Sequence, residues 1–253
     1  MDKGKRKKLV RVKGRSNAPS LRKVQRLGPR RFSHGIGTES VGGSHLSAMT
    51  KTQVHLITHA RSLFARKGFD GVSVKDVSDA TKLNISLVSY HFNGKEGLYR
   101  ACIEKFGKDC LEAVQRTLQP PKSLGECELR LSMFIDLMID IFIKNPDASA
   151  MAFKEADMEA RLFEDVFEST FIELFKTLIS YFEASQRAGF IRKDMDPHTT
   201  ASILFGSLSH FARMDFISLK FFGRTIKDSK HREKVTSHLK TLFAGSLTTK
   251  INA

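Results

Sequence analysis

The sequence predicts an all-α protein, and three observations predict it. Beyond residue 50 apolar side chains recur every third or fourth position and hardly ever in alternation, the spacing that lines one face of a helix. Residues suited to starting and stopping helices punctuate the chain at helix-length intervals, with Thr50, Ser73, Asn84 and Asn93 as starts and Gly68, Asn145-Pro146, Ala188-Gly189 and Gly223 as stops. The most apolar stretch, Leu131 to Ile143, is interrupted by Asp136 and Asp140. That fits a helix with one buried face and falls short of the roughly 18 uninterrupted apolar residues of a membrane span.

The first 49 residues stand apart. Residues 1–50 hold 13 of the 42 Lys and Arg against two acids, Asp2 and Glu39, so +11 of the chain's net charge of +15 sits there. Gly28, Gly35, Gly37, Gly42, Gly43, Pro19 and Pro29 break up the segment, and no apolar periodicity offsets the entropy of ordering it. Residues 1–49 therefore read as a disordered basic arm. Three roles stay open for it: attachment to nucleic acid through counterion release, a solvated tail, or an extension upstream of a start at Met49. The glycines from Gly35 to Gly43 are no dinucleotide fingerprint, because no apolar strand precedes them. No apolar core follows the basic N-terminus, which excludes a secretory signal. Three cysteines, Cys102, Cys110 and Cys127, are too few and odd in number for a disulfide framework, so a cytoplasmic protein is expected.

The second segment, residues 50–100, opens with three expected capping boxes. Thr50 with Gln53, Ser73 with Asp76, and Asn93 with Glu96 each place a capping side chain three residues before an acid or amide. The first helix runs from about Lys51 to Lys67 with Val54, Ile57, Ala60 and Phe64 on one face, and stops at Gly68. The second runs from Ser73 to about Ala80, with Val74, Val77 and Ala80 in register. After a turn of Thr81-Lys82-Leu83 the third runs from Asn84 to about Phe92. Two short helices about such a turn suggest a helix-turn-helix. Val88, His91 and Phe92 form the inward face of the third helix, with His91 a packed core histidine. Ile85, Ser86, Ser89 and Tyr90 face outward, with Leu87 at the margin.

Two runs then carry a resemblance: Phe64-Ala65-Arg66-Lys67-Gly68-Phe69-Asp70-Gly71-Val72-Ser73-Val74 and Ser89-Tyr90-His91-Phe92-Asn93-Gly94-Lys95-Glu96-Gly97-Leu98-Tyr99. They resemble the TetR/AcrR family of bacterial repressors over about Thr50 to Arg100, and the rest of the chain resembles it in helical style alone. The resemblance implies a three-helix DNA-binding head followed by a helical ligand-binding and dimerisation domain over residues 101–253. It makes Ile85, Ser86, Leu87, Ser89 and Tyr90 groove-facing positions, and Ser73, Tyr90 and Lys95 phosphate contacts. Physics favours Ser73 and Lys95 as well, since both lie at expected helix N-termini, with Lys75 and Lys82 adding charge nearby. Set against this, Ser73 as a plain cap, Lys95 as a solvated side chain and Tyr90 as a packed ring stay open. Two departures are visible. Lys82 stands where the family's turn usually has glycine, a cost of about 1 kcal/mol if the position is left-handed. Ile85 and Leu87 stand where many members carry polar readers, which shifts specificity toward thymine methyls and DNA shape.

The body holds 16 of the 20 phenylalanines. Phe163, Phe167, Phe171 and Phe175 recur every fourth residue as one helix stripe, flanked by Val166, Leu174, Leu178 and Phe182. A long helix starts between Asp194 and Pro197 and runs through Phe211, and the last runs from about Lys230 to Leu247. A cavity needs apolar walls and a few polar groups. Met133, Phe134, Leu137, Met138 and Phe142 beside Asp136, then Met151 and Glu155, then Phe167 and Phe171, supply them, although such a stripe also suits plain core. Asp136 and Asp140 share a face that is equally the solvent face of their helix. The family's use of its last two long helices as a four-helix dimer interface implies Phe205, Leu208, Phe216, Leu239 and Phe243 there. The segment Phe216 to Phe222 either lines that interface or closes the pocket floor.

These features point to a dimeric regulator that binds a pseudo-palindromic operator in double-stranded DNA and is released by an apolar small-molecule ligand. The alternative is a nucleoid-associated factor without inducer, dominated by the arm. No Cys/His metal spacing, G-x-S-x-G, phosphate-binding glycine loop or H-E-x-x-H occurs, so no cofactor and no catalysis are expected. Cys102 and Cys110, about 12 Å apart on a straight helix, are too distant for an internal disulfide and read as buried thiols.

Overall fold

Helices α1 (Lys51–Lys67), α2 (Val74–Thr81) and α3 (Ser86–Phe92) open the computed structural model, which describes residues 49–158 and 163–245. Expectations for residues 1–48 and for the chain beyond residue 245 lie outside the described residues. The order continues with α4 (Lys95–Thr117), α5 (Leu124–Lys144), α6 (Pro146–Asp157) and α7 (Glu164–Phe167). A π-helical turn (Glu168–Ile172) leads into α8 (Glu173–Arg187), followed by α9 (Pro197–Phe222), α10 (Ser229–Lys240) and a second π-helical turn (Thr241–Gly245). The fold is all-α, with no strand among the described residues.

Helix starts follow local chemistry. Thr50 and Ser73 form complete capping boxes, and Ser123, Asp196 and Asp228 accept from backbone amides of the first turns of α5, α9 and α10. The third expected box is absent. Asn93 instead takes the left-handed conformation (φ 56°) as the C-cap of α3, and Gly94 precedes α4 without a side-chain cap. Asparagine serves either end of a helix, and here it closes one. Asn84 lies just outside α3, where its Oδ1 accepts from the Ser86 amide and hydroxyl, each at 2.9 Å.

Buried side chains gather in two clusters. The first joins Leu56, Ile57, Ala60 and Phe64 of α1 to Val77, Val88, Phe92, Leu98 and Tyr99. It also includes Met151 of α6 together with Phe163 and Val166. Val54 is exposed, a correction to the expected face of α1, and Leu56 takes its place against the core. The second cluster unites α5, α8, α9 and α10 through Leu131, Phe134, Ile135, Leu178, Leu204 and Leu239, among others. α4 belongs to both, with Leu98 to Ile103 in the first and Phe106 to Val114 in the second. α6 does likewise, packing on α1 and α4 through one side and on α9 through another.

The phenylalanine stripe is not one helix face. The π-helical turn widens the helix by about one residue per turn and so rotates the residues beyond it. Phe163 and Phe167 pack with the first cluster, Phe171 touches both, and Phe175 packs on the second beside Phe205. The turn also seats Thr170, fully buried, against α4. A Cβ at Gly107 would lie 2.6 Å from the Thr170 hydroxyl oxygen, so glycine is what lets these two helices touch.

All three cysteines are buried and unpaired. Burial pushes the thiols of Cys102 and Cys110 up to about 12, so they stay protonated at neutral pH. We expect both to resist an aromatic disulfide reagent at pH 8 in the folded protein and to react once it is denatured. Stoichiometric labelling of native protein would contradict this.

Candidate nucleic-acid interface

The turn between α2 and α3 is built by backbone-directed side chains. Lys82 adopts the left-handed conformation (φ 58°, ψ 25°) that the family's glycine would take without strain. Ser78 Oγ donates to the Leu83 carbonyl at 2.6 Å and Thr81 Oγ1 to the Val77 carbonyl at 2.8 Å. His55 Nε2 lies 3.2 Å from the Thr81 carbonyl and ties α1 to the same turn as a donor. Thr81 and Ser78 thus satisfy polar groups that a tight reversal would otherwise leave unmet.

Val88 and Phe92 anchor α3 in the first cluster, and Leu87 packs partly against it. That fixes the opposite face. Ile85 (48% exposed), Ser86, Ser89 and Tyr90 (81% exposed) all project into solvent. Together they present one apolar group, two hydroxyls and a phenol, able to meet methyls, base edges or phosphates in a groove about 12 Å wide. His91 departs from expectation: it is half-buried, edge-on to Tyr90 at 4.8 Å between ring centroids, and so flanks the exposed face.

The four further residues expected near phosphates divide. Lys75 and Lys82 are exposed and form no ion pair among the described residues. Ser73 is committed to its box, accepting from the Asp76 amide at 3.1 Å and donating its hydroxyl and amide to the Asp76 carboxylate. Those bonds, with Lys67 at 3.0 Å, hold the Asp76 carboxyl far below the usual carboxylate range. Lys95 is the larger correction. Its Nζ donates to the Phe69 carbonyl at 3.1 Å and lies over the Phe69 ring at 4.2 Å, so it fastens α4 to the loop after α1 and is not a free solvated cation.

The residues expected to line a ligand cavity do not meet around one opening. Phe134, Met138 and Phe142 are buried in the second cluster with Leu137 packed against it, whereas Met151 belongs to the first. Phe167 and Phe171 pack on each other at 4.8 Å. Met133 is exposed, and Asp136 pairs with Lys240 at 2.5 Å on the solvent side. Glu155, a buried carboxylate, accepts a hydrogen bond from the Tyr99 hydroxyl at 2.7 Å.

The expected dimer residues need correcting in the same way. Leu208, Leu239 and Phe243 are buried in their own chain's second cluster, and Phe205 is partly buried against it. Phe216 is 71% exposed. Helical periodicity puts a different stripe on the opposite side of α9: Ile203, Met214, Ile217 and Phe221, all exposed.

Comparison with known proteins shows what the head of the chain resembles. The sequence profile described as "Bacterial regulatory proteins, tetR family" matches residues 56–102. The probable HTH-type transcriptional regulator YttP of Bacillus subtilis (strain 168) is 25% identical over 118 residues, 46% of this chain and 55% of that protein. The chain thus spans little more than half the length of that relative. The HTH-type transcriptional repressor DhaR of Mycobacterium sp. (strain GP1) is 23% identical over 168 residues, 63% of this chain and 80% of that protein. Among solved structures, the ketosteroid transcriptional regulator KstR2 of Mycobacterium tuberculosis superposes with a TM-score of 0.62 at 15% identity, covering 80% of this chain and 98% of that one. The fatty acid degradation regulator FadR of Bacillus halodurans gives 0.62 at 13% identity, covering 79% and 98%. At such identities these structures share the fold. None of these relatives is named as an enzyme.

Proposed function

We propose, from the match of its head to the TetR profile, that this chain is a transcriptional regulator of that kind, which binds a pseudo-palindromic operator as a symmetric dimer, represses transcription there and is released by an apolar small molecule. The observation that carries the reading is the outward face of α3. Ile85, Ser86, Ser89 and Tyr90 are held in solvent by a turn tied down through Ser78 and Thr81, while Lys75 and Lys82 are exposed and form no ion pair among the described residues. Leu87 lies at the margin of that face, while Ser73 is bound to Asp76 and Lys95 to Phe69.

The stripe Ile203, Met214, Ile217 and Phe221 is the face we assign to the second copy. It is apolar and exposed toward both ends of the longest described helix, with Gly206, Ser207 and His210 between, and exposed apolar surface of this kind marks an interface. Two copies joined there would present two α3 helices to successive major grooves, about 34 Å apart. The name of the mycobacterial relative, a transcriptional repressor, supports repression over activation. The +11 charge of residues 1–50 favours a second reading, an architectural factor that binds many sequences through its arm.

Fluorescence anisotropy at about 0.15 M salt tests the two readings, with the full chain on duplexes from its own upstream region and on scrambled duplexes. The expected result is discrimination of roughly 1,000-fold with two chains per duplex. Equal binding to both would favour the architectural reading. Tyr90→Ala should weaken the specific complex by roughly 5- to 30-fold, the loss of one or two hydrogen bonds. It should leave the thermal midpoint unchanged, because the side chain is 81% exposed. Unaltered affinity at matched salt would remove Tyr90 from the interface.

A further inference from the structure

We propose that the cleft between α6 and the second half of α9 binds a compact, ring-bearing apolar molecule with one neutral hydroxyl or carbonyl. As the seat of the effector, this site rests on the reading of the chain as a ligand-released regulator. The cleft has a volume of about 420 Å³, within the range of small-molecule sites. Phe142, Phe153, Phe216, Leu219 and Ile226 supply apolar walls, and the Phe142 and Phe153 rings lie 5.6 Å apart.

The inner side of the cleft is polar and unmet. Ser149 lines it, is 4% exposed, and its Oγ has no hydrogen-bond partner among the described residues. Ser209, also buried and also without a partner, lies on the same face of α9 as Ala212 and Phe216, one turn further in. Serines inside helices ordinarily donate back to the carbonyl four residues earlier. Ser185, Ser202 and Ser207 do so at 2.8–2.9 Å, and Ser149 and Ser209 do not. Buried hydroxyls nearly always have a partner, and Ser149 is the orphan that lines the cleft, so its hydroxyl calls for a polar atom from a molecule seated there.

Charge selects a neutral molecule over an ion. Arg213 at the mouth pairs with Asp157 at 2.6 Å and stacks on the Phe153 ring, and Asp215 accepts from Thr225 Oγ1 and the Ile226 amide. Asp215 and Lys227 form no ion pair among the described residues, but Asp215 is met by those two neutral donors and Lys227 lies at the exposed rim. A molecule seated here would also bear on the head. The same helix α6 holds Met151 in the first cluster and Glu155 against Tyr99, so spreading α6 from α9 displaces a support of α1 and α4.

The test uses the full chain with 2-naphthol as probe and naphthalene as its counterpart without a hydroxyl, titrated by NMR. The expected result is one 2-naphthol per chain, with naphthalene at least about tenfold weaker. Ser149→Ala should bring 2-naphthol close to naphthalene and leave naphthalene unchanged. Ala150→Trp, an exposed lining position, should exclude both while the thermal midpoint holds. Three outcomes overturn the proposal: no binding of 2-naphthol at about 1 mM, equal affinities for the two probes, or binding that survives Ala150→Trp. DNA anisotropy with and without 2-naphthol is read separately. A filled cleft with unchanged DNA affinity leaves the site standing and removes its effector role. Release by some other compound from a chain whose cleft stays empty does the reverse.

Discussion

Gly97→Ala is expected to cost about 3 kcal/mol or more, to lower the thermal midpoint by roughly 6–12 °C, and to weaken DNA binding with it. The reason is steric. Asn93 (φ 56°) and Gly94 (φ 104°) reverse the chain so tightly that the last carbonyls of α3 lie over the first turn of α4. A Cβ at Gly97 would fall inside the contact distance of the Phe92 carbonyl oxygen, a backbone atom with nowhere to go. Relief requires α3 to shift, and α3 carries the exposed face assigned to DNA. Gly125, in the first turn of α5, is the control, since a Cβ there meets nothing within 4 Å. Gly125→Ala should be neutral or stabilising by up to about 1 kcal/mol. Circular dichroism melts of the two variants decide the matter, and equal midpoints would show that the α3–α4 approach yields easily.

The second large effect belongs to Tyr99. Its ring is 1% exposed among Phe64, Phe69 and Phe163, and burial pushes its hydroxyl pKa well above the usual value, with the Glu155 carboxyl adding to the shift. The phenol therefore keeps its proton and donates it. Tyr99→Phe fills the same space but takes away the hydroxyl that meets buried Glu155, at an expected cost of about 2–3 kcal/mol. Glu155→Gln keeps an acceptor for the hydroxyl and should cost under about 1 kcal/mol. Urea unfolding of the three chains measures both values. A Tyr99→Phe loss no larger than that of Glu155→Gln would mean that the bond is incidental to the packing.

The sequence was most legible where a structural choice is local. Thr50 and Ser73 cap because their partners sit three residues away, and the stops at Asn145-Pro146, Ala188 and Gly223 need no distant contact. The same locality misled at Asn93, whose side chain suits both a helix start and a left-handed finish. The exposed side chains of α3 could be read from the burial pattern of Val88 and Phe92 alone. The roles of Lys95 and Glu155 could not, since their partners lie 26 and 56 positions away. Four of the expected dimer residues, Phe205, Leu208, Leu239 and Phe243, pack in their own chain for a related reason. On a helix as long as α9 two apolar faces coexist, and only the packing of α5 and α8 shows which is already covered. The phenylalanine stripe failed because a π-helical turn changes the period without altering composition.

The sharing of α4 and α6 between the two clusters has a consequence for how the protein matures on the ribosome. The three helices of the head are made first, yet their core is completed by Leu98 and Tyr99 of α4, by Met151, and by Phe163 and Val166. A nascent chain that has exposed only α1 to α3 therefore holds Leu56, Phe64 and Phe92 without their partners. The face we assign to DNA takes its final shape only after most of the body has emerged, so truncated translation products should not compete with the finished chain for DNA.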